Sequence, residues 1–334
     1  MTVTTREVTT LWCELATGRA ENVDRLVEEV GRRWRERDRL LPAPGRPRPE
    51  DEHVIYVRDT GGTVRATGTM QRSVLEPGDS GLTWGVRDQH WLTPLVGGAD
   101  PAATLDTLLS MWREQLYMVP ERGDPETAAA VTWPSRDVTG ISALRRHGLQ
   151  PYGVVAARLP GRGEVPAAPP PGVRVRAAGV DDLPVLVELL MEEHHYEQHF
   201  GGVLVRPQTE RQTHRVLEQS LSYQPAWVWL AERDDRAVGL IWASPPERAR
   251  WAAPLAAARP AGYIGYGMVT ADERGRGTGA ALVAHAHRRL DAEGVGVTLL
   301  NYSQANPLSG PFWSRMGYRP LWTTWEVRPV GALR

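Results

Sequence analysis

The chain has 334 residues, of which 41% are hydrophobic and 24% charged, a globular composition that excludes wholesale disorder. All 39 of its Lys+Arg residues are arginine, and 40 Asp+Glu leave a net charge of -1. That balance argues against a nucleic-acid binder and against a polybasic membrane anchor. The N-terminal stretch MTVTTREVTTLWCELATG has no signal-peptide core, and no apolar run reaches the ~18 residues of a membrane span. Cys13 is the only cysteine, so no intrachain disulfide can form. A cytoplasmic protein with no membrane or nucleic-acid partner is expected.

Asn, Ile and Phe are scarce alongside the missing lysine, at 3, 4 and 2 residues, against 33 Gly and 27 Pro. The scarce residues use AT-rich codons, so base composition explains the deficit better than avoidance of self-modification. The physical consequence is the same either way. Any phosphate on a ligand must be met by Arg, backbone N–H groups or a helix N-terminus.

In chain order, the spacing predicts a helix over 21–40 and a hairpin over 53–58 and 64–72. A strand over 82–86, a long helix over 101–119 and a strand over 128–133 follow. A short helix over 141–146 and a closing strand over 151–159 end this half. The run Gly161 to Gly172 contains four prolines and reads as a linker between residues 1–160 and 173–334.

The second half repeats the order more clearly. A strand spans 173–176, and a helix spans 181–196 with Asp181 or Asp182 at its N-cap. A second helix spans 208–219, and a hairpin spans 226–232 and 237–244. An Ala/Arg-rich insertion covers 245–260. A strand over 263–270, a helix over 278–293, a strand over 297–301, a short helix over 309–316 and a strand over 319–328 complete it. The two endings align at a constant offset. Ala130-Val131-Thr132-Trp133 falls on Leu299-Leu300-Asn301-Tyr302, and His147-Gly148 falls on Met316-Gly317. This is the mark of an internal duplication.

The segment that carries chemistry is Val269-Thr-Ala-Asp-Glu-Arg274-Gly275-Arg276-Gly277-Thr278-Gly279-Ala280. It lies between a strand and a helix, where unpaired N–H groups and the helix dipole suit a pyrophosphate. A dinucleotide fold fits less well. The motif follows a late strand after an antiparallel hairpin, and the next strand ends at Asn301 rather than at an acidic residue.

Arg274-x-x-Gly277-x-Gly279 after a Val-ending strand resembles the acyl-CoA pyrophosphate loop of the GNAT N-acetyltransferase superfamily. Asn306-x-x-Ser309-x-x-Phe312-Trp313-x-x-x-Gly317-Tyr318 is similar to that family's second signature. The resemblance covers about 173–328, and over 20–160 it is a topological echo. It implies an α/β (α+β) chain of two tandem GNAT-like domains. Each would be a mixed, mostly antiparallel sheet flanked by helices, and the first would lack the pyrophosphate loop.

The resemblance also implies acetyl-CoA as co-substrate and no metal. Met268 and Val269 would meet the pantetheine or thioester, and Arg274 to Ala280 the pyrophosphate. Asn306 would bond the pantetheine arm, and Trp313 and Arg315 would complete the donor site. The N-terminal half has Gly97-Gly98 but no such loop, so structural support is its expected role. A second, degenerate acyl-CoA pocket there is the alternative.

Acyl transfer to an amine needs a base, an oxyanion partner and a proton for the leaving thiolate. The family's usual Tyr is Trp313 here, whose indole is no useful proton donor. Ser309, Tyr266, Tyr302 or a water would have to serve, or the thiolate would leave unassisted. The strand before the loop has no carboxylate. The candidate bases therefore lie in Glu192-Glu193-His194-His195-Tyr196-Glu197-Gln198-His199.

Within that run Glu192, His195, Tyr196 and His199 share one helical face. The competing reading is a solvated helix end with histidines on its negative dipole. His195 and His199 have metal-ligand spacing but no third partner. His285 and His287 are expected on the surface. The acidic residues favour a cationic acceptor.

The leading expectation is an acyl-CoA-dependent N-acyltransferase acting on the primary amine of a small molecule. A peptide acetyltransferase and a non-catalytic acyl-CoA-binding scaffold are the alternatives. The sequence leaves the oligomeric state open.

Overall fold

The computed structural model describes residues 20–47, 53–163 and 168–334. Cys13 and residues 164–167 of the linker lie outside them. The N-terminal half runs α1 (Ala20–Arg37), β1 (Val54–Arg58), β2 (Val64–Val74), β3 (Asp88–Val96), α2 (Pro101–Leu116), β4 (Thr127–Pro134), α3 (Ile141–Arg146) and β5 (Gln150–Arg158). The C-terminal half runs β6 (Val173–Ala177), α4 (Leu183–Glu197), α5 (Thr209–Ser222), β7 (Val228–Arg233) and β8 (Arg236–Ser244). It continues with β9 (Ala261–Val269), α6 (Thr278–Ala292), β10 (Val297–Ser303), α7 (Ser309–Arg315) and β11 (Arg319–Val327).

Local chemistry accounts for the main elements. Asp100 caps α2 by accepting the Ala103 N–H at 3.0 Å, and Pro101 opens the helix. Leu105, Leu108, Leu109, Trp112 and Leu116 then form its buried stripe. The core of β4, Ala128-Ala129-Ala130-Val131, is buried on both faces, as suits a central strand.

The strand expected over 82–86 is not there. Ser80–Thr83 is a short 3-10 turn, and the strand is Asp88–Val96. Its alternation was hidden because Asp88 and His90 are polar yet buried. Arg72 accounts for one of them, donating to the Asp88 carboxylate from Nε and Nη2 at 2.9 and 2.8 Å.

The sheets of the two halves are continuous. One eleven-stranded sheet has the order β1-β2-β3-β4-β11-β5-β10-β9-β8-β7-β6. The closing strands cross over. β5 lies antiparallel between β10 and β11, while β11 lies antiparallel between β5 and β4. Each half therefore completes its sheet with the last strand of the other. The preceding short helices end alike, at Gly148 and Gly317 with φ of 85° and 89°.

Among the described residues each half has one parallel pair. β3 runs beside β4 from Asp88↔Thr127 to Leu92↔Val131. β9 runs beside β10 from Ala261↔Val297 to Ile264↔Leu300. Past Ile264 and Leu300 the second pair separates, so Gly265–Val269 presents an unpaired edge to the gap. Separate hydrophobic clusters lie beneath α2 and beneath α6. A third ties the halves together, with Trp34 of α1 edge-on to Trp322 of β11 at 5.1 Å.

Candidate active site

The turn from β9 to α6 forms one end of a cleft. Gly275 and Gly277 have φ of 77° and 88°, values that favour glycine. Gly277 sits at the N-cap of α6 without a side-chain cap. First-turn N–H groups thus face the loop without a capping side chain.

One carboxylate anchors the loop from beneath. Glu273 is buried and accepts from Arg233 Nε and Nη2 at 3.1 and 2.8 Å. It also accepts from the Thr278 hydroxyl. Hydrogen bonding to Arg233 holds the Glu273 carboxyl below its usual range. Its charge is paired with Arg233, although the residue also lines the cleft beside the loop. Arg274 lies 4.3 Å over the ring of Tyr196, and Arg276 is exposed.

The cleft runs from this loop through the gap between β9 and β10, with a volume of about 1200 Å³. A pocket for one small ligand spans roughly 300–1,000 Å³, so there is room for a donor and an acceptor together. Most of the expected donor residues line it. Met268, Val269, Arg274, Gly275, Gly277, Gly279, Ala280, Asn306, Trp313 and Arg315 all do so. These residues fit a pyrophosphate and its pantetheine arm, because the glycines leave backbone exposed and Arg274 and Arg315 supply charge. Arg276 stands outside the lining, and Thr278 is fully buried against Glu273.

The expected catalytic residues divide. Glu193, Tyr266 and Ser309 line the cleft. Glu192 does not, because its carboxylate accepts the Ala271 N–H at 3.1 Å and braces the turn before the loop. His195 is exposed, with Nδ1 2.6 Å from the Met191 carbonyl. His199 is exposed likewise, with Nδ1 2.8 Å from the His195 carbonyl. His195 lies in the last turn of α4 and His199 in the short 3-10 turn just beyond it, where the helix dipole favours them. Among the described residues, no group of three or more His, Cys, Asp or Glu side chains could hold a metal ion.

Glu197 is the residue that spacing did not single out. It lines the cleft one turn after Glu193 on α4. Burial pushes its carboxyl up to about 7. The nearby Glu193 adds to this, while Asn306 and His194 oppose it. The Asn306 side-chain amide donates to Glu197, and its own carbonyl accepts the Leu308 N–H at 2.9 Å. Both ends of the Asn306 side chain are therefore engaged within the protein.

The expected surface position of His287 is corrected. His287 is buried in α6 with Nε2 2.9 Å from the Tyr318 hydroxyl. Burial drives its pKa down to about 3. His285 is half-buried beside Trp229. Trp313 is buried between Phe312 and Tyr318, and a Cβ at Gly267 would lie 3.3 Å from its ring. It lines the cleft.

The N-terminal half also reaches the cleft. Trp84, Gln89 and Trp91 line it, together with Tyr152 of β5. Glu326 of β11 lines it too, beside Arg328, with its carboxyl raised by burial. The half has its own strand-to-helix turn at 97–100, but the protein fills it. Glu29 of α1 accepts the Gly98 N–H at 2.7 Å, and Asp100 accepts the Ala103 N–H. A carboxylate stands where a phosphate would be received.

The C-terminal half thus combines a mixed sheet, a splayed parallel pair and a glycine-arginine loop at a helix N-terminus. Residues 186–318 match the acetyltransferase (GNAT) family model, and the chain carries a GNAT domain there. A solved GCN5-related N-acetyltransferase from Sphaerobacter thermophilus is similar at 17% identity and a TM-score of 0.52. That match covers 83% of this chain and 80% of the other, and it supports the fold. A tandem GNAT protein from the clavulanic acid biosynthesis pathway is similar at 14% identity and a TM-score of 0.43, over 90% of this chain and 95% of the other. No curated protein sequence matches the chain.

Among the described residues, no helix is long and apolar enough to cross a membrane.

Proposed function

We propose that the chain is an acetyl-CoA (acyl-CoA)-dependent N-acyltransferase acting on the primary amine of a small molecule. One observation carries this reading: Glu197, with its carboxyl pushed up to about 7, lines the same cleft as the Arg274–Ala280 loop. A base near neutral pKa is suited to taking a proton from an ammonium at neutral pH.

Acetyl-CoA would supply the activated thioester. Arg274 and the N–H groups at the start of α6 would hold the pyrophosphate, with Arg276 at the rim. The gap past Ile264 and Leu300 would take the pantetheine arm. Alternate backbone groups of Gly265–Val269 face this gap and would orient the thioester carbonyl. Glu197 takes the first proton from the acceptor ammonium. The amine nitrogen then forms the C–N bond as the C–S bond breaks, and its second proton passes to sulfur. Ser309 and Tyr302 are hydroxyl groups lining the cleft that can relay it.

The insertion over 245–260 sets Trp251 on the cleft beside Tyr263, at 4.7 Å between rings. This narrows the approach and favours a small acceptor over a peptide. The test is thiol release from acetyl-CoA across a panel of amines and lysine peptides. Release with amines alone supports the reading, and release with peptides alone reverses it. Acetyl-CoA binding without release from any acceptor would leave a scaffold.

A further inference from the structure

We propose that the acceptor is a primary ammonium carried on an aromatic or bulky apolar body without a carboxylate, and that Trp84 of the N-terminal half selects it. This rests on the acyltransferase reading and names the substrate class of the same cleft.

One stretch of the cleft lining is aromatic. Tyr266 on β9 stacks on Trp242 of the neighbouring β8, at 5.3 Å between centroids and 16° between planes. Trp84 stands 5.6 Å from Tyr266, and the buried His194 ring lies 5.5 Å from Trp84. All three of Trp84, Trp242 and Tyr266 line the cleft. Two carboxylates, Glu193 and Glu197, face the same space from α4. Aromatic faces with nearby carboxylates attract a cation bearing an apolar body. The same carboxylates repel an acceptor that carries its own carboxylate.

Trp84 is held in place although it packs poorly. It is 42% exposed, an unfavourable state for so large an apolar side chain in a fixed loop. Its loop is clamped to the C-terminal half from several directions. Arg206 donates to the Leu82 carbonyl and makes two bonds to the Glu126 carboxylate, at 2.9 and 2.7 Å. The Leu204 N–H donates to the Thr83 carbonyl at 2.9 Å, and Gln212 Nε2 donates to the Asp79 carbonyl at 3.0 Å. The Tyr152 hydroxyl donates to the carbonyl of Trp84 itself at 2.9 Å. A tryptophan so anchored, with its ring open to a cleft, is preorganised for a ligand.

The N-terminal half thus lacks a donor loop yet supplies part of the acceptor wall. The strand exchange fixes that wall against the C-terminal half, since Tyr152 sits on the exchanged β5.

The experiment measures thiol release and calorimetric binding with phenethylamine, ethylamine, glucosamine and phenylalanine. It compares the full chain with Trp84→Ala and Trp84→Phe. Phenethylamine is expected to exceed ethylamine in kcat/KM by about tenfold or more, with glucosamine and phenylalanine below it. Trp84→Ala should raise the phenethylamine KM about tenfold while kcat changes far less, and Trp84→Phe should recover most of the loss. An unchanged KM in Trp84→Ala, or a preference for glucosamine or phenylalanine, overturns the proposal.

The two readings fail separately. Phenethylamine binding that Trp84→Ala weakens, without thiol release from any amine, keeps the acceptor class and removes the transferase. Thiol release indifferent to Trp84 does the reverse. Neither heat nor thiol with any amine overturns both.

Discussion

The side-chain amide of Asn306, in the segment after β10, donates to the carboxylate of Glu197 at the end of α4. This bond joins the second signature of the sequence to a carboxylate that no spacing rule had picked out. Both residues line the cleft, and the bond ties the position that should meet the donor to the group that should receive the acceptor's proton.

The pH response of Glu197 follows from its burial. Its carboxyl lies at about 7 instead of the ordinary 4.5, so it is neutral in acid and becomes a base only as the pH passes 7. The kcat/KM for the amine should rise through that pH. Glu197→Gln should lower it by about 10²–10⁴ and remove the inflection. The stability effect has the opposite sense. A raised carboxyl favours the protonated protein, so its contribution is complete below 4.5 and is lost as the pH climbs to about 7. Glu197→Gln should therefore raise Tm at pH 8 and give no gain at pH 4, as read by calorimetric melts.

The donor loop gives a second test. Gly277 has φ of 88°, and a Cβ there would lie 3.2 Å from Pro170. Gly277→Glu adds strain and a negative charge where phosphates should sit. Arg274→Ala removes a guanidinium that also rests on Tyr196. Losing one charge-assisted contact costs about 1.5–3 kcal/mol. Calorimetry should show acetyl-CoA binding weakened roughly tenfold or more in Arg274→Ala and lost in Gly277→Glu. Unchanged binding in both would remove the loop from the donor site.

The loop, the second signature and the order of the C-terminal elements were legible because each is local. Gly275, Gly277 and the start of α6 are neighbours in sequence, and their backbone demands show in the residue types. Glu197 was hidden by one residue of rotation. The face chosen from spacing began at Glu192, but the wall of the cleft is Glu193, Tyr196 and Glu197. Periodicity defines faces about 100° apart per residue, and only tertiary packing says which one turns inward.

The exchange of β5 and β11 was equally invisible. Both strands follow a short helix and a positive-φ glycine and carry Pro at their second position, so nothing local distinguishes pairing within a half from pairing across halves. Trp84 was lost with it, since its place depends on Arg206 and Tyr152, which lie far away in sequence.

Trp313 allows a test of how the thiolate leaves. It is buried against Phe312 and Tyr318, and its indole holds no readily given proton. Trp313→Phe should cost stability through the space it leaves, about 1–3 kcal/mol. At a temperature well below Tm its kcat should stay within about threefold of the parent, because no proton passes through the ring. A fall of a hundredfold, measured by thiol release at saturating acetyl-CoA, would assign the indole a direct part.

The two halves should differ in stoichiometry. The N-terminal turn at 97–100 has the shape of a donor loop, with Gly98 at φ of 86°. Its N–H groups are already taken, by Glu29 on Gly98 and by Asp100 on Ala103. A Cβ at Gly97 would meet Leu26 at 2.8 Å, so α1 also lies close over the turn. A pyrophosphate would have to displace one carboxylate and sit beside another, against like-charge repulsion. Titration should give one acetyl-CoA per chain. Glu29→Ala should leave that number at one, because Asp100 and the packing of Leu26 remain, while it lowers Tm by freeing the Gly98 N–H. Two binding events in the parent chain, or a second one in Glu29→Ala, would show that the N-terminal turn can still receive the donor.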